Sequence, residues 1–145
     1  MSDILSVSQI KVPGTATSKD EAIREAGQIL VDTGAVTPAY VDAMFEREKS
    51  VSTYMGNYLA IPHGTNEAKD EITASALSVV RYDSPIDWDG NETRFVVGIA
   101  GYEGGHLEIL GKIAVIFSDT DEVDKMIAAG SAEEVFALLN AVNEE

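Results

Sequence analysis

A chain of 145 residues with no cysteine and a formal net charge of −15 limits what this protein can be. The length suits one domain with its own hydrophobic core, and the lack of cysteine excludes disulfides, thiolate nucleophiles and sulfur-ligated metals. Strong acidity disfavours nucleic acid and anionic membranes as partners. The sequence has no apolar run of membrane-spanning length and no signal-peptide pattern at the N-terminus, so a cytoplasmic protein is expected.

Two helices are predicted near the start of the chain. Ser18 and Glu21 have the spacing of a capping box, which predicts a helix running to about Thr33. Thr37 and Pro38 supply an N-cap and a first-turn proline for a second helix. The residues that this second helix should turn toward the core are Tyr40, Val41, Met44 and Phe45.

Three segments have strand character. Residues 58–61 are aromatic, apolar and partly β-branched, and residues 72–82 alternate imperfectly. Residues 95–100 form a continuous apolar run, which is typical of a central strand covered on both faces. The connection between the last two strands is predicted to be rich in turns around Trp88, with Pro85, Asp89, Gly90 and Asn91 as its markers.

Three more helices should complete the chain. The first begins at or just after His106, the second is capped by Thr120, and the third follows a capping box of Ser131 and Glu134. Helices and strands that alternate in this way predict an α/β fold: a single compact domain with a mixed β-sheet and helices packed on both faces. The strand order is not predicted.

His63 is the main candidate for chemistry. Pro62 ends the strand before it, Gly64 leaves room beside the imidazole, and Thr65 can cap a short helix. His106 has the same setting after the apolar strand 95–100, so both histidines are expected at one edge of the sheet. A helix N-terminus favours a neutral ring with a nucleophilic nitrogen, and it also attracts phosphoryl groups.

Each candidate also has a plainer interpretation. His63 can be an ordinary turn histidine, and His106 can be a polar helix cap. Arg47 has the planar guanidinium that suits phosphate oxygens, but it can also pair locally with Glu46 or Glu48 on its own helix.

Other chemistries are weaker alternatives. His63, His106 and a carboxylate such as Glu103 or Glu108 would make a two-histidine, one-carboxylate metal site, although no HExxH spacing supports it. Neither a GxSxG elbow nor a P-loop is present in the sequence, which disfavours a serine hydrolase and direct nucleotide use.

Residues 45–49 (Phe-Glu-Arg-Glu-Lys), 54–65 (Tyr-Met-Gly-Asn-Tyr-Leu-Ala-Ile-Pro-His-Gly-Thr) and 67–69 (Glu-Ala-Lys) carry a resemblance to a known family. They are similar to the mannitol/fructose-type IIA component of the bacterial phosphoenolpyruvate-dependent sugar phosphotransferase system, and most similar to its mannitol branch. The similarity runs through nearly the whole chain and implies that residues 1–145 form a single EIIA type-2 domain.

The resemblance implies a role for each candidate. His63 would accept a phosphoryl group on Nε2 from phospho-HPr and pass it to a cysteine of the cognate IIB domain, with no cofactor and no metal. His106 would be the second active-site histidine, and Arg47 a nearby electrostatic residue. The membrane IIC permease would be an indirect partner, and the chain would act as a free-standing component in the uptake of mannitol. A fructose-type or regulatory IIA-like module is the alternative.

Two partner proteins would have to reach such a site, so an apolar docking rim is expected around it. Met55, Tyr58 and Leu107 are the candidates, although each of them can equally be part of the core.

Overall fold

A computed structural model describes residues 4–102 and 106–143, except for the side chains of residues 66, 67, 106, 107, 141 and 143. The helices of this part are α1 (Lys19–Asp32), α2 (Ala39–Ser50), α3 (His106–Phe117), α4 (Thr120–Ala128) and α5 (Ala132–Leu139). The strands are β1 (Ile10–Lys11), β2 (Tyr54–Gly56), β3 (Leu59–Ala60), β4 (Ala76–Trp88) and β5 (Asn91–Ala100). Short 3-10 helices span Val7–Gln9, Asn66–Glu71 and Asn140–Asn143.

The strands form one mixed sheet in the order β1-β4-β5-β3-β2. β1 is parallel to β4 and β3 is parallel to β5, whereas the β4–β5 and β2–β3 pairs are antiparallel. β5 lies in the middle of the sheet, as its continuous apolar run predicts.

The sheet has a separate hydrophobic core on each face. Along β5, Phe95 and Val97 pack with residues of α3, α4 and α5, whereas Val96 and Ala100 pack with residues of α1 and α2. Because successive strand residues point to opposite faces, one apolar strand supplies both cores. The predicted α/β fold, with helices packed on both faces of a mixed sheet, is confirmed.

Both predicted capping boxes are present. Ser18 Oγ accepts a hydrogen bond from Glu21 N at 3.2 Å, and the Glu21 carboxylate accepts from the amide of Thr17. Ser131 Oγ accepts from Glu134 N at 3.2 Å. These contacts satisfy helix amides that have no partner within the helix, and they fix where α1 and α5 begin.

Two other capping predictions are wrong. The hydroxyl of Thr37 bonds to the carboxylate of Glu71 instead of capping α2. The carboxylate of Asp119, and not Thr120, caps α4 by accepting from Asp121 N at 3.0 Å and from Glu122 N. The hydroxyl of Thr37 is engaged by a carboxylate from another segment, whereas at α4 the carboxylate of Asp119 is a stronger acceptor for helix amides than the hydroxyl of Thr120.

The segment before His63 forms a hairpin of two strands, β2 and β3, whereas the sequence predicted a single strand there. β2 pairs with β3 across a two-residue turn at Asn57 and Tyr58, whose φ angles are +51° and +68°. Positive φ at both turn residues is the geometry of a type I′ hairpin. Nδ2 of Asn57 also donates to Phe117 O at 2.8 Å, which joins the hairpin to the C-terminus of α3.

The predicted connection around Trp88 is shorter than expected. β4 continues through Pro85 to Trp88, and only Asp89 and Gly90, both with positive φ, form the turn to β5. The register shifts between Arg81 and Ile86, and a proline is tolerated in a strand at such an irregularity. Trp88 is fully buried in the strand.

Glu25 of α1 ties its helix to the sheet and to the preceding loop. Its carboxylate accepts from Tyr82 Oη at 2.6 Å and Thr15 N at 3.0 Å, and it pairs with Lys11 Nζ at 2.7 Å. Burial disfavours ionisation of Glu25, but the hydrogen bonds from Lys11, Tyr82 and Thr15 outweigh it and lower the pKa of this carboxyl to about 2.

Candidate functional site

His63 lies just beyond β3, beside the carboxyl end of the central strand. Its backbone pairs with Ile99 in a parallel bridge, and Ile99 N donates to Pro62 O at 3.1 Å. Because β3 and β5 are parallel, the segment that follows β5 leaves the sheet at the same edge. That segment leads to α3, which starts at His106, whose side chain lies outside the described part of the chain.

The imidazole of His63 is held by a backbone carbonyl of its own segment. Its Nδ1 lies 2.8 Å from Ile61 O, and the ring is half-buried. A carbonyl oxygen can only accept, so Nδ1 carries the hydrogen in this contact. The neutral ring therefore has its lone pair on Nε2, which makes that nitrogen the nucleophile and the base.

Tyr40 of α2 holds the turn on the other side of His63. Its hydroxyl donates to Ile99 O at 2.7 Å and accepts from Gly64 N at 2.8 Å, so one side chain binds both the central strand and the residue after the histidine. Burial raises the pKa of Tyr40, opposed by the Gly64 amide. A Cβ on Gly64 would lie only 2.5 Å from the Tyr40 ring, so this close approach requires glycine.

Thr65 precedes the 3-10 helix Asn66–Glu71, and its side chain makes no capping hydrogen bond. The predicted cap is therefore wrong, and the predicted short helix is a 3-10 helix. The side chain of Thr65 instead lines a cleft beside His63. The side chain of Asn66 lies outside the described part.

The cleft beside His63 has a volume of about 690 Å³ and is open to solvent. It collects residues from α2, β2, the His63 turn, the 3-10 helix that follows and α3, and Arg47 and Lys69 are the basic side chains among those described there. Its lining residues are Tyr40, Arg47, Ser52, Thr53, Tyr54, Met55, Ile61, His63, Gly64, Thr65, Lys69, Ile72, Gly101 and Leu110.

Arg47 is directed into this cleft and not toward its acidic neighbours. Its Nη1 donates to Val51 O at 2.9 Å, and no ion pair between described side chains includes it. Glu46 instead lies 3.6 Å from Lys49, and Glu48 is buried with other partners. Of the local pairs considered from the sequence, Glu46 with Lys49 forms, whereas no described ion pair joins Arg47 to Glu46 or Glu48, and Arg47 shares the cleft with His63.

The alternative metal site lies largely outside the described residues. Glu103 and the side chain of His106 are not described, and Glu108 approaches Lys112 at 3.7 Å. Among the described residues, no group of three or more His, Asp or Glu side chains is placed to hold a metal ion. Over the same residues, no helix combines the length and the apolar character needed to cross a membrane.

Sequence reasoning missed three residues around His63. Tyr40 looks like a core residue because its helical spacing shows burial but not what its hydroxyl binds. Lys69 belongs to the resemblance motif, yet its position in the cleft depends on the 3-10 helix. Glu48 looks like a solvated residue in a charged run, but it is only 6% exposed.

Comparison with known proteins shows which family this chain resembles. The model of the family described as "Phosphoenolpyruvate-dependent sugar phosphotransferase system, EIIA 2" matches residues 3–142. The mannitol-specific phosphotransferase enzyme IIA component of Halalkalibacterium halodurans is 55% identical over 141 residues, which cover 97% of each chain.

Two solved structures extend the comparison. In the complex of enzyme IIAMTL with phosphorylated enzyme IIBMTL from Escherichia coli, the matching chain is 34% identical with a TM-score of 0.87, covering 93% of this chain and 96% of that one. The nitrogen regulatory protein IIA-Ntr from Neisseria meningitidis is 31% identical with a TM-score of 0.81, covering 94% and 96%. With a family match over nearly its whole length and relatives that share its fold, the chain belongs to the EIIA 2 family of the phosphoenolpyruvate-dependent sugar phosphotransferase system.

Proposed function

We propose that this chain, acting as a single domain over residues 1–145, carries a phosphoryl group on His63 during mannitol uptake. It accepts the group from phospho-HPr and passes it to a cysteine of the cognate IIB domain. IIB in turn serves the membrane IIC permease, which this chain does not contact. The relative at 55% identity is named as mannitol-specific, whereas the nitrogen regulatory protein is 31% identical, and this difference favours the mannitol component over a regulatory module.

The observation that carries the proposal is the 2.8 Å contact between Nδ1 of His63 and Ile61 O. In the first step the Nε2 lone pair forms a bond to phosphorus, and the bond from phosphorus to the donor nitrogen breaks. Because Nδ1 keeps its hydrogen, the phosphorylated ring is cationic and is a good leaving group. In the second step a thiolate of IIB attacks phosphorus, the Nε2–P bond breaks, and the ring returns to its neutral form.

The cleft supplies charge compensation for the transferred group. Phosphoryl transfer depends mainly on in-line positioning and on balancing the charge of the equatorial oxygens. Arg47 and Lys69 bring two cations to the cleft of a chain whose formal net charge is −15. The resemblance assigns His106 to the same task, and the amides at the start of α3 add a favourable dipole.

Exposed apolar residues around the cleft support docking by partner proteins. The large apolar side chains that are exposed in the described part are Val51 (64%), Met55 (51%), Tyr102 (45%) and Val115 (72%), and the first three lie in or next to the lining of the cleft. Of the predicted rim, Met55 fits this role, Tyr58 packs against the core, and the side chain of Leu107 is not described.

Incubation with phosphoenolpyruvate, enzyme I and HPr, followed by intact mass measurement, tests the proposal. We expect one acid-labile phosphoryl group on the wild type and none on His63→Ala. His106→Ala should still be labelled but should hold or pass on the group less well. Labelling of His63→Ala would remove this residue from the carrier role, and unchanged kinetics of His106→Ala in both half-reactions would reject its assignment.

Arg47→Ala separates charge compensation in the cleft from a surface contact. We expect an intact fold and slower transfer from phospho-HPr. Lys125→Ala is the matched control, because Lys125 is a basic residue on α4 with a 61% exposed side chain that pairs with Glu122 at 3.1 Å. Equal transfer rates for the two variants would reject the role of Arg47.

A further inference from the structure

Glu48 is a charged side chain that is buried near the end of α2. Four donors converge on its carboxylate: Thr53 Oγ1 at 2.5 Å, Thr53 N at 3.0 Å, Trp88 Nε1 at 3.1 Å and Lys19 Nζ at 3.3 Å. Burying a carboxylate is costly even when it is well paired, and apolar residues often serve stability as well. Two of its donors belong to Thr53, which lines the cleft beside His63, and these contacts connect the buried charge to the site.

The contacts of Glu48 lead to the nucleophile through a short chain of hydrogen bonds. Glu48 binds both the amide and the hydroxyl of Thr53. The carbonyl of Thr53 accepts from Ile61 N at 3.1 Å, and the carbonyl of Ile61 in turn binds Nδ1 of His63 at 2.8 Å. The position of the carbonyl that sets the His63 tautomer thus depends on where Thr53 is held.

The same short link also directs Arg47. Residues 51–53 connect α2 to β2, and Arg47 Nη1 donates to Val51 O at one end of this link while Glu48 binds Thr53 at the other. Two adjacent residues of α2 thereby clamp both ends of the link. Movement at Thr53 would displace the guanidinium and the imidazole together.

We propose that Glu48 is a positioning residue for phosphoryl transfer, which holds the link 51–53 so that His63 keeps its hydrogen on Nδ1 and Arg47 stays directed into the cleft. The inference rests on the proposed carrier function of His63. We take the expected size of the effect from residues that orient metal-binding histidines through hydrogen bonds, whose loss typically costs about 10- to 100-fold in activity. Glu48 itself touches neither the phosphoryl group nor the partner protein.

Glu48→Gln tests the proposal, with Glu46→Gln as the matched control on the same helix, because the side chain of Glu46 is 67% exposed. A glutamine can keep its oxygen facing Thr53 N and Trp88 Nε1, but its NH2 then replaces the carboxylate oxygen that accepts from the Thr53 hydroxyl, and the ion pair with Lys19 is lost. We expect Glu48→Gln to keep its far-UV circular dichroism but to lose about 10- to 100-fold in the single-turnover rate of transfer from phospho-HPr, with little change in the half-saturating donor concentration. Long-range ¹H–¹⁵N correlation spectra of His63 should change from the Nδ1–H form to a mixture of tautomers.

A second pair of variants carries the test if Glu48→Gln does not fold. Thr53→Val removes only the hydroxyl contact and should slow transfer in the same direction, whereas Thr53→Ser should restore it. A folded Glu48→Gln or Thr53→Val variant with wild-type transfer rate and tautomer would overturn the proposal. Failure of the wild type to become phosphorylated would instead overturn the carrier function, and the tautomer measurement keeps the two failures distinct.

Discussion

Tyr40→Phe should weaken both the fold and the site, because it removes one hydroxyl that serves two backbone groups. The variant leaves Ile99 O without its donor at 2.7 Å and Gly64 N without its acceptor at 2.8 Å. Tyr40 itself is only 3% exposed. A buried polar group that loses its partner costs about 1–3 kcal/mol, so two such groups, one of them only partly buried, should cost about 2–4 kcal/mol. With a urea m-value of about 2 kcal/mol/M, the midpoint should fall by about 1–2 M.

Trp88 provides the signal for this measurement, since it is the single tryptophan and is fully buried. Tyr54→Phe is the matched control, because its hydroxyl makes only a long, exposed contact of 3.5 Å to Glu92 O and should change the unfolding free energy by less than about 0.5 kcal/mol. Phosphoryl transfer should also slow in Tyr40→Phe at concentrations of urea where it remains folded. Equal midpoints for the two variants would refute the bridging role of Tyr40.

Three other contacts give separate tests. Asn57→Asp replaces the amide that donates to Phe117 O with a group that repels this helix C-terminus, and urea unfolding should show a loss of about 1–2 kcal/mol; an unchanged midpoint would contradict this. Gly64→Ala should lower both stability and the rate of phosphoryl transfer, because its Cβ would meet the Tyr40 ring at 2.5 Å. Gly111→Ala is the control: its Cβ meets no described atom within 4 Å, and it should stabilise α3 by about 0.5–1 kcal/mol. Similar effects of the two variants would contradict the close approach at Gly64. Glu25 has a pKa of about 2 in the folded protein against an ordinary value of 4.5, so its contribution is complete above about pH 4.5 and is lost as the pH falls toward 2. Midpoints measured across this range should fall less steeply for Glu25→Gln than for the wild type, and parallel curves would contradict the assignment.

The features of the fold that were predicted correctly follow from short, local patterns. The two Ser-x-x-Glu capping boxes succeed because their serines and glutamates find partners within one helical turn. Residues 95–100 are apolar on both faces, and this alone indicates a central strand. The parallel pairing of β3 and β5 lets the segments that follow them leave the sheet at one edge, whereas the meeting of the two imidazoles stays a prediction.

The failed prediction at Thr120 lost to the adjacent Asp119, whereas two other failed predictions depended on contacts far away in the sequence. Thr37 has the right position to cap α2, but Glu71 reaches it from another segment. Pro85 looks like a turn residue, yet β4 continues through it because a register shift removes the need for its missing amide. Neither the contact with Glu71 nor the register shift can be predicted from the periodicity of the sequence.

The candidate site shows the same division between local and distant contacts. His63 and its strand-end position could be predicted from residues 58–65, and the resemblance added Arg47 and His106. The tautomer of His63 depends on a carbonyl orientation, which the sequence does not specify. Glu48 escapes prediction because a charged run on a helix normally indicates a solvated surface, and only the packing around Thr53 and Trp88 reveals its burial.

The contact between His63 and Ile61 has a consequence for how proteins of this shape diversify. The bond that fixes the reactive nitrogen spans two residues of one segment, whereas the exposed apolar residues around the mouth of the cleft come from other elements. Substitutions of Met55 or Tyr102, which lie outside the link 51–53, can therefore alter which proteins dock without disturbing the nitrogen that reacts. A protein built in this way can acquire new partner proteins while its chemistry stays the same.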